Sequence, residues 1–139
     1  MHDAAPNFQM RVEGTQRPLD PLVHDEMFGI GREALINAFN HAQAGTVTLE
    51  LHYGAKALRL CISDDGRGIA TEVLAAGVRP GHWGLAGMRE RAARIGATLA
   101  FRNGVATGTE VELHVPAKIA YRPAVACWRG WFGRMGKDR

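Results

Sequence analysis

At 139 residues the chain has room for one domain with a proper core, and its 46% hydrophobic content is ordinary for a soluble globular protein. The formal net charge of +3 misleads until it is located: residues 118–139 hold six Lys/Arg against one acid, residues 1–117 eleven against thirteen, so the body is a poor nucleic-acid surface. Cys61 and Cys127 lie far apart without a C-x-x-C, which argues against a disulfide framework or a zinc site and fits a reducing, cytoplasmic setting.

Phe8, Met10 and Val12 alternate with polar residues and read as a first strand, broken by Gly14 to Pro18. Asp20-Pro21 then signals a helix start, because Asp caps free backbone N–H groups and Pro loses nothing at the first helical position. The spacing predicts a long helix from about Pro21 to Ala42, with an apolar stripe of Met27, Ile30, Ala34, Leu35, Ala38 and Ala42. After Gly45, residues 46–52 and 57–64 alternate strictly and predict a hairpin turned at Gly54, with Val47, Leu49 and Leu51 on the same face as Leu58, Leu60 and Ile62.

From Gly66 to Gly84 there are glycines, Pro80 and a short helical patch at Thr71–Ala76, which reads as a mobile functional loop. A second helix is expected over Met88–Ile95, stopped by Gly96 in a left-handed cap. Two last strands follow, one with Leu99 and Phe101 up to a turn at Asn103-Gly104, one with Val111, Leu113 and Val115 up to Pro116. No apolar run approaches the roughly 20 residues that cross a bilayer, and the first residues lack the blocks of a signal peptide. The six histidines show no helical H-x-x-x-H pair, so a transition-metal site is not expected.

Three clusters carry chemistry. Glu33, Asn37 and His41 are spaced four apart and form one polar line along a helix whose other side is apolar. An amide oxygen aimed from a rigid helix is a good hard ligand for Mg²⁺, and Glu33, one turn earlier, is placed to orient or deprotonate a water or hydroxyl near such an ion. Asp64-Asp65-Gly66-Arg67-Gly68 ends a strand in a carboxylate and a glycine-permitted turn. Gly84-Leu85-Ala86-Gly87-Met88 precedes a helix.

This order, E-x-x-x-N-A, then D-x-G-x-G, then G-L-x-G-M, then Gly108-Thr109 opening a strand, resembles the ATP-binding domain of sensor histidine kinases over roughly residues 8–116. Within that superfamily, shared with DNA gyrase, Hsp90 and the MutL repair proteins, the run Gly84 to Ala92 is similar to the short-lid subgroup that partners LuxR-type response regulators. The resemblance implies a two-layer α/β sandwich of mixed sheet and helices, the Bergerat ATP-binding fold, with ATP and Mg²⁺ held between the long helix and the loop. By it, Asp64 accepts a hydrogen bond from the adenine amino group and Gly66 and Gly68 let the backbone turn close to the base. Asn37 is the Mg²⁺ ligand, and Glu33 the acid assisting phosphoryl transfer. Gly84, Leu85, Gly87 and Met88 belong to the lid, Gly87 standing at a helix start whose N–H groups face phosphate oxygens. Thr109 supports adenine beside Asp64, and His41 approaches the phosphates. Where the family commonly has Arg or Lys reaching the phosphates, three residues after Asn37, this chain has Asn40.

The resemblance also implies an acceptor histidine on a separate dimerisation domain, whereas only about twenty residues precede the long helix here. His24-Asp25-Glu26 imitates that acceptor's signature but falls in the helix's first turns. The chain reads as an ATP domain, residues 1–117, of a longer and membrane-anchored cytoplasmic kinase, followed by a basic, aromatic, mostly disordered tail, residues 118–139, able to meet a membrane surface or a partner. Two other readings stay open on sequence: a protein-serine kinase of the anti-sigma-factor type, and a nucleotide-binding switch without catalysis.

Overall fold

The computed structural model describes residues 6–41, 45–66, 84–103 and 108–122. In chain order these form strand β1 (Asn7–Gly14), helix α1 (Pro21–His41), strands β2 (Thr46–Tyr53) and β3 (Ala57–Asp64), helix α2 (Leu85–Arg94), strands β4 (Thr98–Asn103) and β5 (Thr109–Pro116), and the short helix α3 (Ala117–Ala120). The sheet runs β1-β2-β3-β5-β4, with β1 parallel to β2 and the other pairs antiparallel.

Period-two alternation gives this sheet two chemically opposite faces. Register pairs Leu49 with Ile62 and Leu51 with Leu60, as the predicted hairpin requires. Leu58, Leu60, Ile62, Val111, Leu113 and Val115 turn inward with Val47, and Val23, Ile30, Ala34 and Ala38 of α1 and Leu85, Met88 and Ala92 of α2 close over them. The opposite face is a set of charged ladders, in which Arg59 and Arg102 share Glu112, Arg102 also reaches Glu110, and Arg11 meets Glu50. Such exposed pairs contribute little each, yet they keep that face from collecting apolar surface.

Helix α1 starts where the sequence places it, with the Asp20 carboxylate accepting the N–H groups of Leu22 and Val23 at 2.9 and 3.3 Å. Its buried stripe differs in part: Ile30, Ala34 and Ala38 are buried as expected, Val23 joins them, and Met27 and Leu35 are only partly buried, while Ala42 lies outside the described residues. Glu26 is buried too, because Arg91 and Arg94 of α2 hold its carboxylate at 2.9 and 3.3 Å. The Arg91 guanidinium lies over Gly29, where any side chain would meet it.

Helix α2 begins at Leu85 rather than Met88, since Gly84 at φ 62° supplies the left-handed residue before it and its carbonyl accepts the Met88 N–H. Gly87 therefore sits inside the first turn, where its missing side chain meets no neighbour. Gly96 at φ 69° ends the helix as expected. The Thr71–Ala76 patch, the loop around it and Gly104 lie outside the described residues.

The ordered fold runs past residue 117. Ala120 and Tyr121, assigned by sequence to the tail, are buried in the core, Tyr121 pairs with Leu19, and its hydroxyl donates to the Gly54 carbonyl at 2.7 Å. Residues 118–122 thus pack with the body, and residues 123–139 lie outside the described residues. Tyr121→Phe removes that one hydrogen bond, so urea unfolding should show a loss of about 1 kcal/mol; an unchanged midpoint would mean that the Tyr121–Gly54 bond adds nothing to stability.

Candidate functional site

Asp64 continues the inward series Leu58, Leu60, Ile62, so alternation sets a carboxylate where the pattern calls for a hydrophobe. Burial accordingly pushes its carboxyl up from the ordinary carboxylate range; the N–H groups of Gly66, at 2.8 Å, and Thr109 oppose the rise, and the neighbouring Asp65 charge adds to it. Asp65 points the other way and accepts the N–H groups of Gly45 and Thr46 at 2.8 and 2.9 Å, tying the end of β3 to the start of β2. Gly108, at φ 90°, lies so close to Asp64 that a Cβ there would fall 1.8 Å from the Asp64 carbonyl oxygen. Only glycine lets β5 begin directly against Asp64.

Above this corner runs the C-terminal half of α1. Asn37 is buried, 7% exposed, and shares with Asp64, Thr109, Ala34, Ile62 and Leu85 the lining of a small cavity of about 10 Å³. The polar line of the sequence therefore divides: Asn37 turns into the protein, while Glu33 is half-buried beside Gly84, whose absent side chain would fall 2.6 Å from Glu33 Oε2. One corner thus gathers Asn37, Asp64, Thr109 and Leu85, with Gly66 at its edge through Asp64, and Glu33 and Gly84 one turn away. Met88 is buried in the core behind them. Gly68, and the side chain of His41, lie outside the described residues.

Thr109 is the residue that tests what this corner holds. Its Oγ1 is buried and, among the described residues, has no hydrogen-bond partner. A buried hydroxyl left unpaired costs about 1–3 kcal/mol, so one beside an acceptor carboxylate marks a place for a ligand carrying both donor and acceptor atoms. An amino-purine edge has that pairing: its amino group suits Asp64, and its ring nitrogen suits the Thr109 hydroxyl. A cavity of this size holds about one water, too little for a purine ring. Among the described residues no three His, Cys, Asp or Glu side chains cluster as a metal site.

Size alone points elsewhere. A much larger concavity, about 1040 Å³, lies on the other flank of α1, is mostly apolar, and is lined by Asn40 but by none of Asn37, Asp64 or Thr109. Asn40 is thus turned from the corner, a separation that its three-residue offset from Asn37 did not convey.

The sequence profile of the histidine kinase-, DNA gyrase B- and HSP90-like ATPases matches residues 23–119. The chain belongs to this family. Sensor histidine kinase LiaS of Bacillus subtilis is 36% identical over 94 residues, which cover 68% of this chain and 25% of LiaS. NarS of Mycobacterium tuberculosis is 34% identical over 100 residues, 72% of this chain and 22% of NarS. The histidine kinase domain of the Erythrobacter litoralis EL346 blue-light activated kinase superposes with a TM-score of 0.67 at 25% identity, over 80% of this chain and 55% of that domain. Mycobacterial MprB, at 20% identity, shares the fold with a TM-score of 0.63 over 84% of this chain and 85% of that one. The chain spans about a quarter of the length of the sensor kinases it matches. It is a catalytic ATP-binding domain of the sensor-histidine-kinase type, on the mixed-sheet Bergerat fold expected from its motifs. Among the described residues no helix is long and apolar enough to cross a membrane.

Thr109→Val removes the unpaired hydroxyl while nearly keeping its shape. Thermal unfolding should show unchanged or slightly raised stability, whereas calorimetry should show ATP binding weakened about 2- to 10-fold. A destabilised protein with normal ATP affinity would make Thr109 a structural residue.

Proposed function

We propose that this domain transfers the γ-phosphoryl of Mg-ATP to a histidine on a separate dimerisation domain, for relay to a LuxR-type response regulator. The observation that carries the adenine half of this reading is the pairing of the half-buried Asp64 carboxylate with the buried Thr109 hydroxyl, which has no partner among the described residues. Asp64 accepts from the adenine amino group; guanine presents a carbonyl there and is rejected by it. Gly66 and Gly68 bring the backbone to the base, and Gly84, Leu85, Gly87 and Met88 bring the first turn of α2 toward the phosphates. The N–H groups of that turn, which have no partner within the helix, suit anionic oxygens.

Mg²⁺ fits the donor set here as an ion carried mainly by phosphate, with Asn37 as its protein ligand; when bound, it neutralises charge developing on the transferred group. Glu33, half-buried on the same helix one turn before Asn37, assists the incoming nucleophile, and His41 lies beside the phosphates. Phosphoryl transfer depends on positioning and charge stabilisation, so the domain holds Mg-ATP and waits for an acceptor delivered in line. The 36% identity to LiaS, a sensor kinase, supports this acceptor chemistry over the serine-kinase reading. The G-L-x-G-M sequence supports the short-lid subgroup and its LuxR-type partner, and residues upstream in a longer protein supply the sensor and its membrane anchor.

Asp64→Asn should weaken ATP binding roughly 10- to 150-fold, since a hydrogen bond to a charged group is worth about 1.5–3 kcal/mol. Because the Asp64 carboxyl is raised, wild-type affinity should fall on acidification from a higher pH than an ordinary aspartate would allow. Protonation converts the acceptor into a donor, so the loss grows as pH drops, and the Asn variant should lack that dependence. Equal ATP affinity for the two proteins would remove Asp64 from the site.

Incubated alone with γ-labelled Mg-ATP, the 139-residue chain should bind nucleotide and take up no label. Joined to a two-helix dimerisation domain bearing an acceptor histidine, it should place acid-labile, base-stable label there. Glu33→Gln and Asn37→Ala should each slow the transfer by about 10²-fold or more. Label on the lone chain that disappeared in His24→Gln would overturn the assignment.

A further inference from the structure

The large groove on the far flank of α1 is floored by Met10, Leu49 and Leu51 of β1 and β2 and walled by Phe28, Ile36 and Phe39 of α1. Phe28 is 66% exposed and Met10 60%. Single exposed hydrophobes are ordinary; a contiguous set lining one groove of about 1040 Å³ is a binding surface. At one end Phe8 of β1 packs on Phe39, with ring centroids 6.2 Å apart.

The other end is where the described chain leaves the fold. Arg122 lines the groove, and its N–H donates to the Pro18 carbonyl at 2.9 Å. Tyr121 is fixed beside it by the Leu19 pairing and by the Arg17 guanidinium, 3.9 Å from its ring centroid. Arg122, the last described residue, therefore stands at the groove's mouth. The next ten residues, Pro-Ala-Val-Ala-Cys-Trp-Arg-Gly-Trp-Phe, carry Trp128, Trp131 and Phe132, an apolar load with no assigned role. Their length also fits: ten extended residues reach about 33 Å, and α1 from Pro21 to Asn40 is about 29 Å long. The family match ends at residue 119, short of this segment.

We propose that residues 123–132 fold back along this groove in the same molecule, seating Trp128, Trp131 and Phe132 against the apolar flank of α1 and the floor of β1 and β2. The segment thereby braces the helix whose opposite flank carries Asn37, and it removes this apolar groove from water. The inference stands on the groove and the chain exit, independently of the kinase reading.

Cys127 lies inside the proposed occupant and offers a natural probe site. Cys61 is buried beside Glu110 and its thiol is pushed up to about 12, so it stays inert to thiol reagents near neutral pH. A nitroxide placed on Cys127 of the isotope-labelled 139-residue chain should broaden the NMR signals of Phe28, Ile36, Phe39 and Leu49, and spare Arg102 and Glu112 on the opposite face. The broadening should be lost in Trp128→Ser/Trp131→Ser and in Phe28→Asp, a change at an exposed position on which folding does not depend. Broadening spread equally over both faces, or absent from the groove, would overturn the proposal. So would broadening of an isotope-labelled, nitroxide-free chain by an added nitroxide-bearing chain, which would make a second copy the occupant.

Discussion

Two adjacent carboxylates at the end of β3 set the geometry on which the site depends. Strand alternation sends Asp64 inward and Asp65 outward, and the two then do opposite jobs. Asp65 accepts the Gly45 and Thr46 N–H groups and pins the end of β3 to the start of β2. Asp64 is left facing the core with a charge that burial disfavours, held by the N–H groups of Gly66 and Thr109. The arrangement persists because Gly108 takes a positive φ against the Asp64 carbonyl, a place where no side chain fits. A charged group kept in an apolar layer by backbone donors is conformationally fixed before any ligand arrives, which is the condition for selective recognition.

Helix α1 joins this corner to the rest of the molecule. Its buried edge carries Ile30, Ala34 and Ala38 into the core, and the small side chains at 34 and 38 let the helix approach the sheet closely enough for Asn37 to share a cavity with Asp64 and Thr109. The first half of α1 is clasped to α2 through Glu26 and the arginines at 91 and 94, with Gly29 making room for the Arg91 head group. These arginines remain about half exposed, so the clasp orients two helices more than it stabilises them. That orientation matters because the start of α2, at Gly84, lies against Glu33. The outer flank of the same helix is apolar, which ties the site to the groove and to whatever occupies it.

Much of this was legible in the sequence, and for identifiable reasons. The five strands and two main helices followed from period-two and period-3.6 alternation, the Asp20-Pro21 start and the glycine stops, all of them local. Sequence alone puts the start of α2 three residues late, at Met88, because two glycines in Gly84-Leu-Ala-Gly87 look like a loop. One in fact caps the helix and the other sits unopposed in its first turn. Tyr121 was assigned to the tail because a single aromatic beside Arg and Pro carries no periodic signal, and its burial depends on Leu19, Arg17 and Gly54.

The sequence by itself determined the element order, the two-faced sheet and the ordered set of motifs that belongs to an ATP-binding domain, because each rests on residues close in the chain. Only the packing of distant segments puts Asn37 and Asn40 on opposite flanks of one helix and leaves the Thr109 hydroxyl buried without a partner among the described residues. It also decided that Glu26 is a buried anchor and not a surface acid. These facts are set by which strand ends meet and by the angle at which α1 crosses the sheet, distances that no spacing along the chain encodes.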